Sequence, residues 1–362
     1  MASEAQLARL RLIRSDNIGP VTYFQLLARF GSAAAAIDAI PDLAARGGGR
    51  APRLVSRALV EREVERVEAL GARYLFLGQG LYPPLLAELE TAPPALIVKG
   101  HLTLLDKPAI AMVGARNASA AACRFARQLA QGLGEAGTVI VSGLARGIDT
   151  AAHDGSIESG TVAVIAGGID IVYPPENEAR QLAIAERGLL VAEQPPGVEP
   201  RARHFPYRNR IIAGLAHGTV VIEAAPNSGS LITARYAAEF GRDVMAVPGS
   251  PLDPRAQGCN KLIRDGAILI QNAEDVLETI RPFNLRPLAQ PRRDYSGPAA
   301  DADAGEAERS RILDLLSPTP VAVDEIIRQS GIPPALVQTV LLELEFAGRL
   351  ERHAGGKVSL AG

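Results

Sequence analysis

The chain has 362 residues, 47% of them hydrophobic, with 38 Lys/Arg against 40 Asp/Glu and a formal net charge of −2. That length asks for two or three domains with an ample core, and the near-neutral charge excludes a general attraction to polyanions, so nucleic acid must be met by a local patch. No apolar run reaches the ~18 residues of a membrane span, and the start, MASEAQLARLRLIRS, lacks an apolar signal core, which points to the cytoplasm.

Residues 1–75 read as short amphipathic helices, with Leu7, Leu10, Leu12 and Ile13, then Phe24, Leu26, Leu27 and Phe30, broken at Ile18-Gly19-Pro20 and Gly31-Ser32. The spacing resembles a SAM-like or helix-hairpin-helix domain; a plain helical cap without a ligand is the competing reading. Residues 76–280 alternate short apolar runs with helical stretches. Strands are expected at 109–113, 139–141, 162–166, 189–191, 220–222, 244–247 and 268–270, rich in Val and Ile with no polar alternation, as strands buried on both faces are. Helices fit between them at 120–135, 148–159, 177–186, 209–215 and 231–240. The pattern predicts an α/β fold, a doubly wound parallel sheet of Rossmann-like type.

Residues 281–305 carry Pro282, Pro287, Pro291 and Pro298 and an Ala/Asp run, which predicts a flexible, partly extended linker. Residues 306–362 give three helices, at 312–316, 323–329 and from Pro333-Pro334 to about Phe346. Two short strands then flank Gly355-Gly356, so this part is expected to be a winged-helix-like domain. Its charge resists a DNA-reading role. Residues 301–362 hold six Lys/Arg against ten Asp/Glu, and the expected recognition helix has Glu343 and Glu345 and no basic residue. Duplex binding relies on neutralising phosphates, so a protein-contact or regulatory role is favoured.

Chemistry is expected where parallel strands end. Gly114-Ala115-Arg116 follows the first expected strand, the loop 142–149 with Ser142, Gly143, Arg146 and Gly147 the second, and Gly167-Gly168 the third. Asn227 and Ser228-Gly229-Ser230 precede a helix. Glycine lets a ligand approach the backbone, and a helix start offers N–H groups to an anion. One such loop is explained by sterics alone; four on one edge favour a phosphate-bearing ligand. The densest basic cluster is Arg201, Arg203 and His204 followed by Phe205-Pro206-Tyr207-Arg208-Asn209-Arg210, at or near a helix start.

Neither G-x-G-x-x-G after the first strand nor a P-loop is present, and H-E-x-x-H and G-x-S-x-G are missing. Cys123 and Cys259 lie far apart and read as reduced bystanders. No cofactor, metal or catalytic residue is expected. Asp149 and His153 share a helical face and read as a brace for the glycine loop; Glu193 and Glu223 read as orienting the arginines rather than as bases. A polynucleotide backbone then fits best: Arg116, Arg146, Arg208 and Arg210 on phosphates, with Phe205 or Tyr207 stacking on bases and the other of the two in the core.

The segments VGAR (113–116), SGLARGIDTAAH (142–153), AVIAGGIDIVYPPEN (163–177), HFPYRNRIIAGL (204–215), EAAPNSGSLITA (223–234) and AVPGS (246–250) closely resemble the DNA-processing protein A family (DprA/Smf), in order across the whole middle part. The resemblance implies a non-enzymatic protein with an extended Rossmann fold, usually a homodimer. It implies binding of single-stranded DNA taken up in natural transformation, loading of a RecA-type recombinase and displacement of single-strand-binding protein. By position it puts the strand pocket at Gly114, Ala115 and Arg116, the 142–147 loop, Phe205, Arg208 and Asn209. It puts the dimer surface near 261–270, including Lys261, Ile263 and Ile270. Ala115 stands where the family usually has Ser, and Gln257-Gly258-Cys259-Asn260 departs from its usual Ser/Thr. Two alternatives remain: a phosphoribohydrolase of the lysine-decarboxylase-like Rossmann group with Glu223 as acid or base, although P-G-G-x-G-T is replaced by Pro226-Asn227-Ser228-Gly229-Ser230; or a recombinase scaffold with a vestigial pocket.

Overall fold

The structure is a computed structural model, and it describes residues 2–284, 304–353 and 355–361. Most of the expected linker, 281–305, lies outside the described residues. The chain divides into two compact units, Met1–Arg62 with Arg293–Gly362, and Glu63–Arg292.

Helices α1 (Glu4–Arg14), α2 (Pro20–Phe30) and α3 (Ala33–Arg46) begin the first unit. Their ends are written in the sequence. Ser3 and Gln6 form a reciprocal capping box on α1, Gly31 in the left-handed region (φ +72°) stops α2, and Ser32 caps α3. Leu12, Leu26, Ile40 and Leu43 make their common core. Helix α4 (Arg57–Ala69) follows.

The second unit holds a nine-stranded sheet. Its strands are β1 (Arg73–Phe76), β2 (Ala95–Gly100), β3 (Ala109–Gly114), β4 (Val139–Ser142), β5 (Thr161–Gly168), β6 (Leu189–Gln194), β7 (Gly218–Ile222), β8 (Asp243–Ala246) and β9 (Ile268–Leu269). The helices between and after them are α5 (Pro84–Ala87), α6 (Ala120–Glu135), α7 (Ile148–Ser156), α8 (Glu178–Arg187), α9 (His204–Gly214), α10 (Gly229–Glu239), α11 (Gln257–Arg264) and α12 (Ala273–Asn284). The order is β1-β2-β6-β5-β4-β3-β7-β8-β9; β3 to β9 are parallel, and β1 and β2 are added antiparallel beyond β6. The chain winds from β3 out to β6, then crosses to β7 on the other side of β3, the doubly wound topology the buried Val/Ile runs predict. Ile110, Met112, Leu129, Leu133 and Ile140 pack one face; Ile97, Leu144, Ile184 and Leu190 pack the other.

Three expectations need correction. Strands β1 and β2 were not anticipated: β1 is four residues with charged Arg73 at its head, and β2 follows Pro93-Pro94, which reads as loop. Gly167-Gly168 end β5 itself instead of following it. Helix α9 starts at His204, five residues before the expected 209, so the whole basic cluster from His204 to Arg210 is helical.

The C-terminal part of the first unit contains α13 (Glu306–Leu313), β10 (Val321–Ala322), α14 (Val323–Ser330), α15 (Pro334–Phe346), β11 (Leu350–His353) and β12 (Lys357–Leu360). The three strands pair antiparallel in the order β10-β12-β11 beside the three helices, a winged-helix arrangement.

Candidate nucleic-acid interface

The carboxyl ends of β3, β4 and β5 and the first turns of α9 enclose a cleft of about 330 Å³. Its centre is Phe205. The guanidinium carbons of Arg116 and Arg208 lie 5.1 Å and 5.9 Å from the ring centroid, and the Tyr173 ring stands 5.6 Å away, tilted by 56°. Phe205 and Arg208 are three residues apart on α9 and so share a face. Both guanidiniums lie within cation–π range of one ring. Tyr207 points elsewhere and is 55% exposed.

Arg116 is exposed, whereas Arg208 is 6% exposed. Burial pulls the Arg208 guanidinium down to about 10, with Asp149 opposing the fall and Arg116 adding to it. The group stays charged at neutral pH. Its Nε has no hydrogen-bond partner among the described residues. The guanidinium lines the cleft, where an anion would offset the burial of its charge. Arg146 lines the same cleft and pairs with Glu176, but both side chains are largely exposed, so the pair is weak and exchangeable.

The glycine loop works differently from its sequence reading. Gly143 and Ala145 aim their N–H groups at Asp149 Oδ2, at 3.1 and 3.3 Å, so the loop's backbone donors are already filled by an internal carboxylate. Burial raises the Asp149 carboxyl, with Arg208 and those two donors opposing. Leu144, with φ +54°, turns its side chain into the core while Asn177 Nδ2 donates to its carbonyl at 2.9 Å. The glycines meet protein atoms. A methyl on Gly143 would overlap Arg208 Nη1 and stand 2.5 Å from its Cζ; on Gly147 (φ +73°) it would stand 2.8 Å from the Arg116 carbonyl oxygen. Gly114, Gly167 and Gly168 are likewise tight against neighbours. These glycines let the chain fold on itself, and side chains are left to grip a ligand.

Several expected contacts move accordingly. Ser142 is fully buried and donates to Met112 O at 2.6 Å, so it braces the sheet. Arg210 turns away from the cleft; its Nη2 donates to Glu193 at 2.5 Å and its Nη1 to Thr91 O at 2.6 Å. Ala115 has both backbone groups engaged, its N–H on Glu223 O and its carbonyl under Ile148 N–H. Asn209 donates to Gly229 O at 3.3 Å, tying α9 to the start of α10, where Ser228 Oγ and Ser230 Oγ bond each other at 2.8 Å; this group does not line the cleft. Glu223 accepts from Ser119 N (2.8 Å) and Ser119 Oγ (2.6 Å), which bridges β3 and β7 at the switch point and occupies both carboxylate oxygens. His153 is buried on Thr161 Oγ1 (2.7 Å), and burial lowers it to about 3.

Near the expected dimer surface, Lys261 is exposed and Ile263 half-buried, but Ile270 is fully buried in its own core. The exposed apolar residues there are Ile268 and Leu269 on the edge strand β9. Tyr173, Asn117, Pro174, Pro175 and Pro200 complete the cleft. Tyr173, Pro174 and Pro175 lie within the segment 163–177 that resembles the family, but none of the five was singled out as a contact. Among the described residues no group of three His, Cys, Asp or Glu could hold a metal ion, and no helix is long and apolar enough to cross a membrane.

The model of the family DNA recombination-mediator protein A matches residues 73–281, that of the DprA-like N-terminal HHH domain residues 3–65, and that of the DprA winged helix domain residues 296–356. A DNA processing protein DprA from Streptococcus pneumoniae is 48% identical over 198 residues, 54% of this chain and 70% of the relative. The X-ray structure of DNA processing protein A from S. pneumoniae superposes with a TM-score of 0.63 at 34% identity, covering 76% of this chain and 98% of that one. A DNA processing protein A from Helicobacter pylori, solved for its single-stranded DNA binding mode, gives 0.53 at 28% identity, covering 58% and 95%.

Proposed function

We propose that this chain, which belongs to the DNA recombination-mediator protein A family, binds single-stranded DNA in the Phe205 cleft and acts in DNA processing during transformation. One observation carries the reading: a single aromatic ring flanked by two guanidiniums, one of them buried with an unfilled donor. A base stacks on Phe205 or Tyr173, and phosphates sit on Arg116, Arg208 and Arg146. Stacking and backbone charge need no base sequence and no hydrolysis. The H. pylori relative's single-stranded DNA binding supports the ligand class. Handing the strand to a RecA-type recombinase, displacing single-strand-binding protein, and pairing of two copies along β9 with Lys261 and Ile263 are parts of the same proposal.

The phosphoribohydrolase reading needs Glu223 as acid or base, and both its oxygens are held by Ser119. Fluorescence anisotropy of labelled oligo-dT between 50 and 200 mM salt tests the proposal. Arg116→Ala should leave the fold unchanged and reduce the magnitude of the salt slope by about 0.7, the single-strand value for one phosphate. Phe205→Ala should cost about 1–3 kcal/mol of binding. Unchanged affinity and slope in both variants would overturn the cleft as the site.

A further inference from the structure

The two ends of the chain carry opposite charge. Residues 1–62 hold nine arginines against five Asp/Glu, and residues 301–362 six Lys/Arg against ten Asp/Glu. They fold as one compact unit, and the contact runs along α15. Leu342 and Phe346, one turn apart, are buried in the core of α2 and α3 with Leu26, Ile40 and Leu43. Around them lies a polar seam. Glu343, 1% exposed, sits between Arg309 of its own module (2.8 Å) and Arg46 of α3 (3.9 Å). Glu345 accepts from Thr22 at 2.9 Å and pairs with Arg352 at 2.9 Å. Gln25 donates to Gln338 at 2.9 Å, and Arg29 donates to Thr339. At the end of α15 the backbones touch. A methyl on Gly47 would overlap Glu343 O and stand 2.5 Å from its carbonyl carbon; one on Gly49 would overlap Ala347 O and stand 2.5 Å from its Cα.

A helix-turn-helix module reads DNA by laying its recognition helix in the major groove. Here that helix is acidic; Val337, Val340, Leu341 and Leu344 pack in its own module, while Leu342, Phe346 and the polar seam face the N-terminal helices. Each module is small but has a core of its own; Leu342 and Phe346 extend the N-terminal one across the contact. The Arg–Glu–Arg cluster adds little net stability but fixes the docking register.

We propose that α15 is a docking helix, that the acidic C-terminal module is an intramolecular cap on the basic N-terminal module, and that the closed pair withholds the N-terminal module from duplex DNA. The full-length Gly47→Ala/Gly49→Ala variant tests this, because neither glycine has a positive φ and the added methyls strike only the seat of α15. Hydrogen exchange should accelerate at least tenfold in both 334–346 and 20–46, with β3 unchanged as an internal reference. Affinity for a labelled 20-base-pair duplex should rise at least tenfold, most at low salt. Arg29→Glu, which sets a carboxylate against the same acidic helix, should open the contact likewise and shows that opening does not depend on the methyls. Unchanged exchange in both variants overturns the docking; opening without any gain in duplex affinity overturns the cap; a duplex cross-linked to α15 of the unaltered protein overturns both.

Discussion

Gly143→Ala adds one methyl group and tests whether the buried arginine organises the cleft. Gly143 has no positive φ, so alanine is allowed by the backbone and on that ground alone would stabilise by about 0.4–1 kcal/mol. The methyl overlaps Arg208 Nη1 and lies 2.5 Å from Cζ and 2.8 Å from Asp149 Oδ2. Ordinary contact needs about 3.4 Å, so the guanidinium carbon must retreat by about 1 Å and Nη1 by more. Asp149, 6% exposed, then loses the nearby positive charge that opposes the rise of its carboxyl. Forcing an extra methyl against a buried side chain costs about 1–3 kcal/mol, which is the loss expected here. Urea unfolding at pH 7.5 of the unaltered chain, Gly143→Ala, Arg208→Ala and the double variant measures it. If the methyl acts by evicting Arg208, the double variant matches Arg208→Ala within about 0.5 kcal/mol, or exceeds it in stability. Strand binding by Gly143→Ala should fall at least tenfold. A stable Gly143→Ala, or losses that simply add, would refute the reasoning.

Two further outcomes follow from groups outside the cleft. His153 is lowered by burial to about 3, below its unfolded value of 6.5, so the unfolded state binds the extra proton; its contribution to stability is complete above pH 6.5 and is lost as pH falls toward 3, with a slope approaching 1.4 kcal/mol per unit. His153→Gln should flatten the acid limb of stability against pH relative to the unaltered chain, and an identical limb in both proteins would contradict it; Asp149, raised by burial, titrates with the opposite sign but is common to both. Arg210→Ala removes a buried cation that donates to Glu193 and to Thr91 O, so urea unfolding should show a loss of about 3 kcal/mol, while the salt slope of strand binding stays that of the unaltered protein; a slope changed by about 0.7 would return Arg210 to the phosphates.

The parallel sheet was legible because β3, β4, β5 and β7 are buried on both faces and read as unbroken apolar runs. Strands β1 and β2 were not, since four residues headed by an arginine and a run behind two prolines gain strand character only by pairing with each other and with β6. In the site, the sequence placed Arg116, Arg146, Phe205 and Arg208 along one edge, and all four line the cleft. Charge and spacing alone could not separate Arg208 from Arg210, two positions apart in one basic cluster, although the family resemblance named only Arg208. What separates them is Glu193 and Thr91, which lie 17 and 119 residues from Arg210 and come together only in the fold. The glycines misled for a related reason: a tight approach by Arg208 or by a backbone carbonyl demands the same residue as an approach by phosphate.

The most direct measurement is a crystal structure of the chain with oligo-dT bound. A thymine ring is expected on Phe205 or Tyr173, with a phosphate oxygen within about 3 Å of the Arg208 and Arg116 guanidiniums. An ordered strand elsewhere on the protein, with Phe205 still enclosed by its two arginines and touching no nucleotide, would contradict it.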